Sequence, residues 1–273
     1  MSGLAIIVKG TTFEQNVGTV DVPIDGKNVE VRQFVEATGL TAHEDGLNVL
    51  VSALKDAGIW DKVIALYPML GTTFEQMSYN LKDISVAKLS MENDPVIAVT
   101  EDVGWKRTSG GFISANYGFP NNLLNDYHML ASTDINYNTV STCVPIGVGA
   151  MTNGSCIILI GSKNIIFRNT QYTGIQTGAT NLPVNGGLVI ASTRGVIVNG
   201  VAKAVSNLSS GGFNNTLNGS PISIGGYNTA AFSPPTAATL PTWTYKYAGF
   251  GMELTESEML TYSNLLNQFK ETY

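Results

Sequence analysis

The sequence holds few groups that could do chemistry. It has two histidines, two cysteines and 21 acidic residues in 273. A hydrolytic triad would need His43 or His128, and neither lies near a nucleophile-elbow pattern. His43 reads as a solvated residue in the first turn of a helix. His128 follows Asp126 and Tyr127 and reads as a surface or core histidine more readily than as a metal ligand. Zinc needs about four N or S ligands, and Cys143 and Cys156 with two scattered histidines make no such cluster. The two cysteines read as buried thiols, with a cross-hairpin pairing left open. Glycoside hydrolysis uses two carboxylates about 5 to 10 Å apart, and no strand carries alternate acidic residues. Glu101 and Asp102 are adjacent, so a strand would turn them to opposite faces. Calcium wants six to eight oxygens. Asp126 and Asp134, with Asn121, Asn122 and Asn125, are the nearest approach, and turn chemistry explains the asparagines more simply. The chain is therefore expected to be non-enzymatic, with no metal and no cofactor.

Carbohydrate binding is the other chemistry to consider. It needs an exposed aromatic platform beside amide or carboxylate groups. Trp105, Tyr117, Tyr127, Tyr137 and Trp243 are the candidate glycan or partner contacts, each competing with the commoner burial of an aromatic in a core. Trp60 reads as packing for a helical segment. Gly211-Gly212 and Gly225-Gly226 lack a following Lys-Ser/Thr and read as loops, not phosphate cradles.

The elements that would position these residues are mostly short strands. Expected strands are Val96–Thr100, Gly111–Ala115, Val140–Val148, Ser155–Ile160, Asn164–Arg168, Gly187–Ser192, Val196–Val198, Val201–Val205, Ile222–Ile224 and Thr244–Met252. Gly, Asn and Pro punctuate the gaps, the pattern of a sandwich or barrel. Asn199-Gly200 marks a hairpin, because a type I′ turn needs φ > 0 twice. Earlier, Leu4–Val8, Gly18–Val22 and Val29–Val31 read as short strands. A helix is expected after a Thr41/Glu44 capping box, with Leu47, Leu50, Val51 and Leu54 as its apolar stripe and Gly58 at its end. Ile59–Leu66 reads as a second helical stretch. Thr255 and Glu258 cap a closing helix that buries Met259, Tyr262, Leu266 and Phe269. The hexapeptide GTTFEQ occurs at 10–15 and at 71–76. Chance reuse of a turn explains it more simply than a duplicated docking turn.

Composition narrows the class. Charged residues are 13% of the chain, against roughly 25% in an average globular protein. Polarity must come from Asn, Ser, Thr and Gly, as suits many strands and turns. Net charge is −6, and without a Lys/Arg cluster the chain is not expected to bind nucleic acid. From Ser109 to Gly251 the charged residues are only Asp126, Asp134, Lys163, Arg168, Arg194, Lys203 and Lys246. No signal peptide and no apolar run near the roughly 20 residues of a membrane span is read.

Three stretches resemble a known family. They are 59–71 (IWDKVIALYPMLG), continuing to Tyr79–Asp83; the hairpin 195–204 with 221–228; and 247–258 (YAGFGMELTESE), running on to Phe269. Together they are similar to tailed-bacteriophage virion proteins, of head-fibre, decoration or tail-fibre type, that carry a concanavalin A-like or laminin G-like sandwich. The resemblance covers roughly residues 41–273, with no firm match between Ala87 and Asn138.

It implies a mainly β fold: an antiparallel, jelly-roll-type β-sandwich with a short N-terminal β/helical leader and a C-terminal helix. The expected division is a docking element at 1–38, a helical connector at 39–70 and a lectin-like sandwich at 71–273, closed by helix 255–271. The implied function is virion architecture, as capsid decoration, head fibre or short tail fibre. Leu4, Ile6, Val8 and Phe13 would dock the leader on a capsid or tail protein. Partners would be other virion proteins and copies of the chain, a trimer being preferred, with a host surface glycan as a further candidate. The chain would be made in the host cytoplasm and reside in the virion. A host-polysaccharide adhesin and a polysaccharide depolymerase are the alternatives.

Overall fold

A computed structural model describes residues 26–92, 95–109, 112–118, 127–134, 143–148, 157–161, 164–168, 174–177, 183, 186–192, 194–208, 221–225 and 244–270. The described strands form two antiparallel sheets of eight strands each. Sheet A contains β1 (Val63–Tyr67), β3 (Val96–Thr100), β4 (Gly104–Ser109), β6 (Tyr127–Thr133), β11 (Gly187–Ser192), β12 (Gly195–Val198), β13 (Val201–Ala202) and β16 (Thr244–Met252). Its order is β13-β12-β11-β6-β16-β4-β3. The free edge of β16 is shared: Thr244 and Tyr245 pair with β4, and Ala248 to Gly251 pair with β1. Sheet B runs β14-β10-β9-β8-β7-β15-β5-β2. These are β14 (Val205–Leu208), β10 (Gly174–Thr177), β9 (Asn164–Arg168), β8 (Ile157–Gly161), β7 (Cys143–Val148), β15 (Pro221–Ile224), β5 (Phe112–Gly118) and β2 (Ser90–Glu92). The mainly β sandwich with a closing helix is what the sequence leads one to expect.

Sheet A is covered on both faces. Tyr127, Met129 and Ala131 of β6, Val189 and Ala191 of β11, and Phe250 of β16 join the core between the sheets. The alternate residues Leu130, Leu188, Ile190, Ile197 and Tyr247 join a second core under a helical layer. That layer is α1 (Val29–Thr38), α2 (Glu44–Asp56) and α4 (Glu256–Lys270), with the single-turn α3 (Phe74–Met77) beside it. A strand buried on both faces loses the polar/apolar alternation, and all seven residues of β6 are buried.

Three local expectations are corrected. Val29–Val31 is not a strand but the start of α1, whose buried Val31, Phe34, Val35 and Thr38 follow the helical period. Gly39 ends it in the left-handed conformation, φ 74°. The Thr41/Glu44 capping box does not form: Thr41–His43 is a 3₁₀ turn, and α2 starts at Glu44 with no side-chain cap. Ile59–Leu66 is not helical either. Trp60–Lys62 is a 3₁₀ turn and Val63 enters β1. The segment 39–70, read as a connector, thus supplies a strand to sheet A. Leu4–Val8, Gly18–Val22 and the docking residues Leu4, Ile6, Val8 and Phe13 lie outside the described residues, as does the first GTTFEQ.

Candidate functional site

The aromatic candidates do not form an exposed platform. Trp105 is fully buried, stacked on Tyr245 at 4.5 Å between ring centroids and edge-on to Phe74 at 6.1 Å. Its Nε1 donates to Met69 Sδ at 3.1 Å. Tyr127 is also fully buried. Tyr117 is half-buried, 5.4 Å from the Phe250 ring. The physical reason is common to all three: their strands turn these rings into the inter-sheet core. Tyr137 and Trp243 lie outside the described residues. Trp60 packs in the helical core as expected, donating from Nε1 to Glu30 at 3.0 Å, with Lys82 Nζ 4.7 Å above its ring.

The histidines are both inside. His43 is 6% exposed, not solvated, and its Nε2 lies 3.0 Å from Asp102 Oδ1. Asp102 adopts φ 51°, and its Oδ1 also accepts from Gly71 N at 2.8 Å. Gly71 opens the second GTTFEQ, where Thr73 and Gln76 form a capping box and Gln76 Nε2 donates to the Thr38 carbonyl at 3.0 Å. This hexapeptide is a turn that fastens α1 to the sheet. His128 is a fully buried core residue. Asp134 is engaged by the Thr244 N–H at 2.7 Å. Among the described residues no group of three or more His, Cys, Asp or Glu converges.

What the structure does bring together is a polar cleft over one end of sheet A. Its volume is about 430 Å³, within the roughly 300–1,000 Å³ of small-ligand sites. Ser132 and Thr133 come from the end of β6, Asn199 from the β12–β13 turn, Lys246 from β16, and Asn267 and Lys270 from α4. Each is held for a local reason. Tyr245 pairs with Thr133 and Tyr247 with Ser132, so Lys246 is the extra residue of a β-bulge. Bulges re-aim side chains in this way. Asn199 and Gly200, at φ 49° and 75°, make the expected hairpin turn. Asn199 Oδ1 accepts from Leu188 N at 2.8 Å, and Gly200 N donates to Ser263 Oγ at 2.9 Å, which ties the turn to β11 and α4. Gly187 must lack a side chain, because a Cβ there would lie 2.1 Å from Asn199 Oδ1.

Among the described residues, the charged side chains that line the cleft are both lysines. Lys270 is held below the ordinary lysine range, first by partial burial and then by the neighbouring Lys246. Among the described residues neither lysine is in an ion pair. A smaller cavity of about 160 Å³ opens on the other side of the same two lysines, against Pro68, Leu70 and Asp102. Lys246 is one of the sparse charges between Ser109 and Gly251, and no motif in the sequence assigns it a role. Its being the one charged residue of Thr244–Met252 was the signal available.

No protein-family profile matches the sequence, and no curated protein matches it. Solved structures match in fold. A Trypanosoma rangeli sialidase in complex with sialic acid has 13% identity and a TM-score of 0.48, covering 84% of this chain and 40% of that one. The same sialidase with a difluoro-nononic acid gives 12% identity and a TM-score of 0.49, covering 83% and 40%. The botulinum neurotoxin serotype D binding domain gives 12% identity and a TM-score of 0.46, covering 76% and 52%. The chain thus spans about two fifths to one half of these proteins. The likeness is one of fold alone. One expectation is corrected by it. The chain was read as non-enzymatic, yet sialidases, which are enzymes, stand among the structures of like fold. That reading is withdrawn.

Proposed function

We propose that this chain is a component of a tailed-bacteriophage particle that presents its sandwich to the host surface, where it binds saccharide. One observation carries the virion part. The stretches 59–71 and 247–258, far apart in sequence, carry the family resemblance and lie side by side, Tyr67 opposite Ala248 and Leu66 opposite Gly249 in one β ladder. What resembles the family is therefore one contiguous piece of architecture, the junction of the helical layer with sheet A. The saccharide part is supported by the polar cleft, where amides, hydroxyls and ammonium groups converge on one concave surface. Docking through the N-terminal segment, as decoration or short fibre, and assembly as a trimer belong to the same proposal.

Mass spectrometry of purified particles tests the virion part: the chain is expected as a stoichiometric component, and its absence refutes that part. Adsorption tests the saccharide part. Purified chain added to host cells is expected to compete with particle attachment, and attachment unchanged at saturating chain refutes it.

A further inference from the structure

We propose that the cleft over the end of sheet A binds an acidic saccharide, its negative group between Lys246 and Lys270 and its hydroxyls on Asn199, Asn267 and Ser132. The assignment rests on the host-surface reading above and narrows it to one site and one ligand class. The chain carries a net charge of −6, so two lysines lining one cavity run against its overall balance. Like charges held together repel, and an anion between them removes that repulsion. The rest of the lining is neutral and hydrogen-bonding. Side-chain amides offer both donors and acceptors, as do hydroxyls, and that mixture suits the alternating hydroxyls of a sugar better than a bare inorganic anion.

The lining is also built into the fold. Lys246 sits on a bulge and Asn199 in a turn with φ > 0 at both residues. Gly186 and Gly187 lie at φ 73° and 148°, where a Cβ would come within 2.1 Å of the Thr133 carbonyl and of Asn199 respectively. Three irregularities of sheet A thus fall round one cavity. Such departures from regular backbone cluster at functional sites. A cavity of about 430 Å³ holds a short saccharide segment, and two cations are too few to follow a polynucleotide backbone.

The test is binding of a glucuronic acid oligosaccharide to the full chain by titration calorimetry, beside the matching glucose oligosaccharide and inorganic phosphate. The expected result is binding of the acidic sugar, at least tenfold weaker binding of the neutral one, and weakening with added salt. Lys246→Gln and Lys270→Gln should each reduce affinity for the acidic sugar tenfold or more. Their melting temperatures should stay within a few degrees of the parent, both side chains being at least partly exposed. Acidic sugar that fails to bind, or binds equally to both variants, overturns the assignment. Phosphate bound as tightly as the acidic sugar overturns the saccharide part. Particle adsorption that still competes with chain carrying both substitutions refutes the cleft alone and leaves the proposed function standing.

Discussion

His128 is held by two unlike neighbours. Its Nδ1 lies 2.5 Å from the Met252 carbonyl oxygen, so Nδ1 carries the proton, and its ring meets Tyr262 edge-on at 5.9 Å. Nε2 is buried without a hydrogen-bond partner among the described residues. Burial lowers its pKa to about 4 from 6.5, the Met252 contact and Glu258 pulling the other way and Lys62 adding to the depression. The unfolded chain therefore takes up a proton below pH 6.5, whereas the folded chain takes it up only near pH 4. Stability from this residue is complete above the upper value and falls as pH drops through that window. The expected loss is about 3 kcal/mol by pH 4. Denaturant midpoints at several pH values should show His128→Gln less acid-sensitive than the parent between pH 6.5 and 4; parallel curves would refute this. Glu258, Glu30 and Glu75 are shifted in the same direction, downward. Burial raises Glu258 and Glu30, but hydrogen bonds from Lys62 and Thr255, and from Lys55 and Trp60, outweigh it. The hydrogen bond from Lys88 leads the lowering of Glu75. Each adds stability at neutral pH that is lost in acid. Trp105 gives a second prediction at this scale. Its removal from the stack with Tyr245 by Trp105→Ala should cost about 3–5 kcal/mol, read from denaturant unfolding.

At the scale of elements, the closing helix and the glycines of β16 show what sequence patterns can and cannot report. The Thr255/Glu258 box forms as its spacing implies: Glu258 Oε2 accepts from Thr255 N at 2.8 Å, and Glu258 N donates to Thr255 Oγ1 at 3.2 Å. Thr255→Ala should cost about 1 kcal/mol, measurable as a shift in midpoint. The Tyr247-Ala-Gly-Phe-Gly251 run has a different cause. A Cβ on Gly251 would lie 2.1 Å from the Lys62 carbonyl and 2.7 Å from His128 Cε1. Gly251→Ala must therefore push β1 or His128 aside, and a loss of about 1–3 kcal/mol is expected. The NG turn, the closing helix and strands such as β9 and β11 were legible because each is determined by a local pattern. β6 was not, though it is the centre of sheet A. Its run Tyr127–Thr133 is buried throughout, and burial on two faces erases the period-two signal. β1 was misread for a related reason: Val63, Ala65, Leu66 and Tyr67 are all buried, and a short apolar run has no period to separate helix from strand. The cleft was illegible for another reason. Its lysines and asparagines come from three elements brought together only by the fold, and its key lysine owes its direction to a bulge.

The described residues form three layers, and the helical layer is part of their core. Leu130, Leu188, Ile190, Ile197 and Tyr247 of sheet A are at most 5% exposed because α1, α2 and α4 cover them. The layer is also pinned at its margin. Asn28 Nδ2 donates to Asn48 Oδ1 at 2.8 Å and to Ser52 Oγ at 2.9 Å, and Lys55 Nζ bridges Asn28 Oδ1 and Glu30 Oε2, both at 2.9 Å. Lys62 Nζ meets Glu258 Oε1 at 2.5 Å, joining the entry of β1 to α4. If residues 71–273 were a self-sufficient sandwich, a chain beginning at residue 71 would fold. Such a chain lacks α1, α2 and β1. The chain keeps α4 on β11 and β12, but losing α1, α2 and β1 uncovers the apolar side chains of α4 and β16 that met them, at about 1.5–3 kcal/mol each, a sum comparable to the whole stability of a domain. It also leaves the edge of β16 opposite Ala248 to Gly251 unpaired, an invitation to association. The chain from 71 should therefore be insoluble, or soluble without a cooperative thermal transition. A chain from 26 should melt cooperatively, because every contact just described remains. Expression of both, followed by circular dichroism melts, separates the two cases. A cooperative transition in the shorter chain would show that the helical layer is an appendage after all, free to serve as a docking arm.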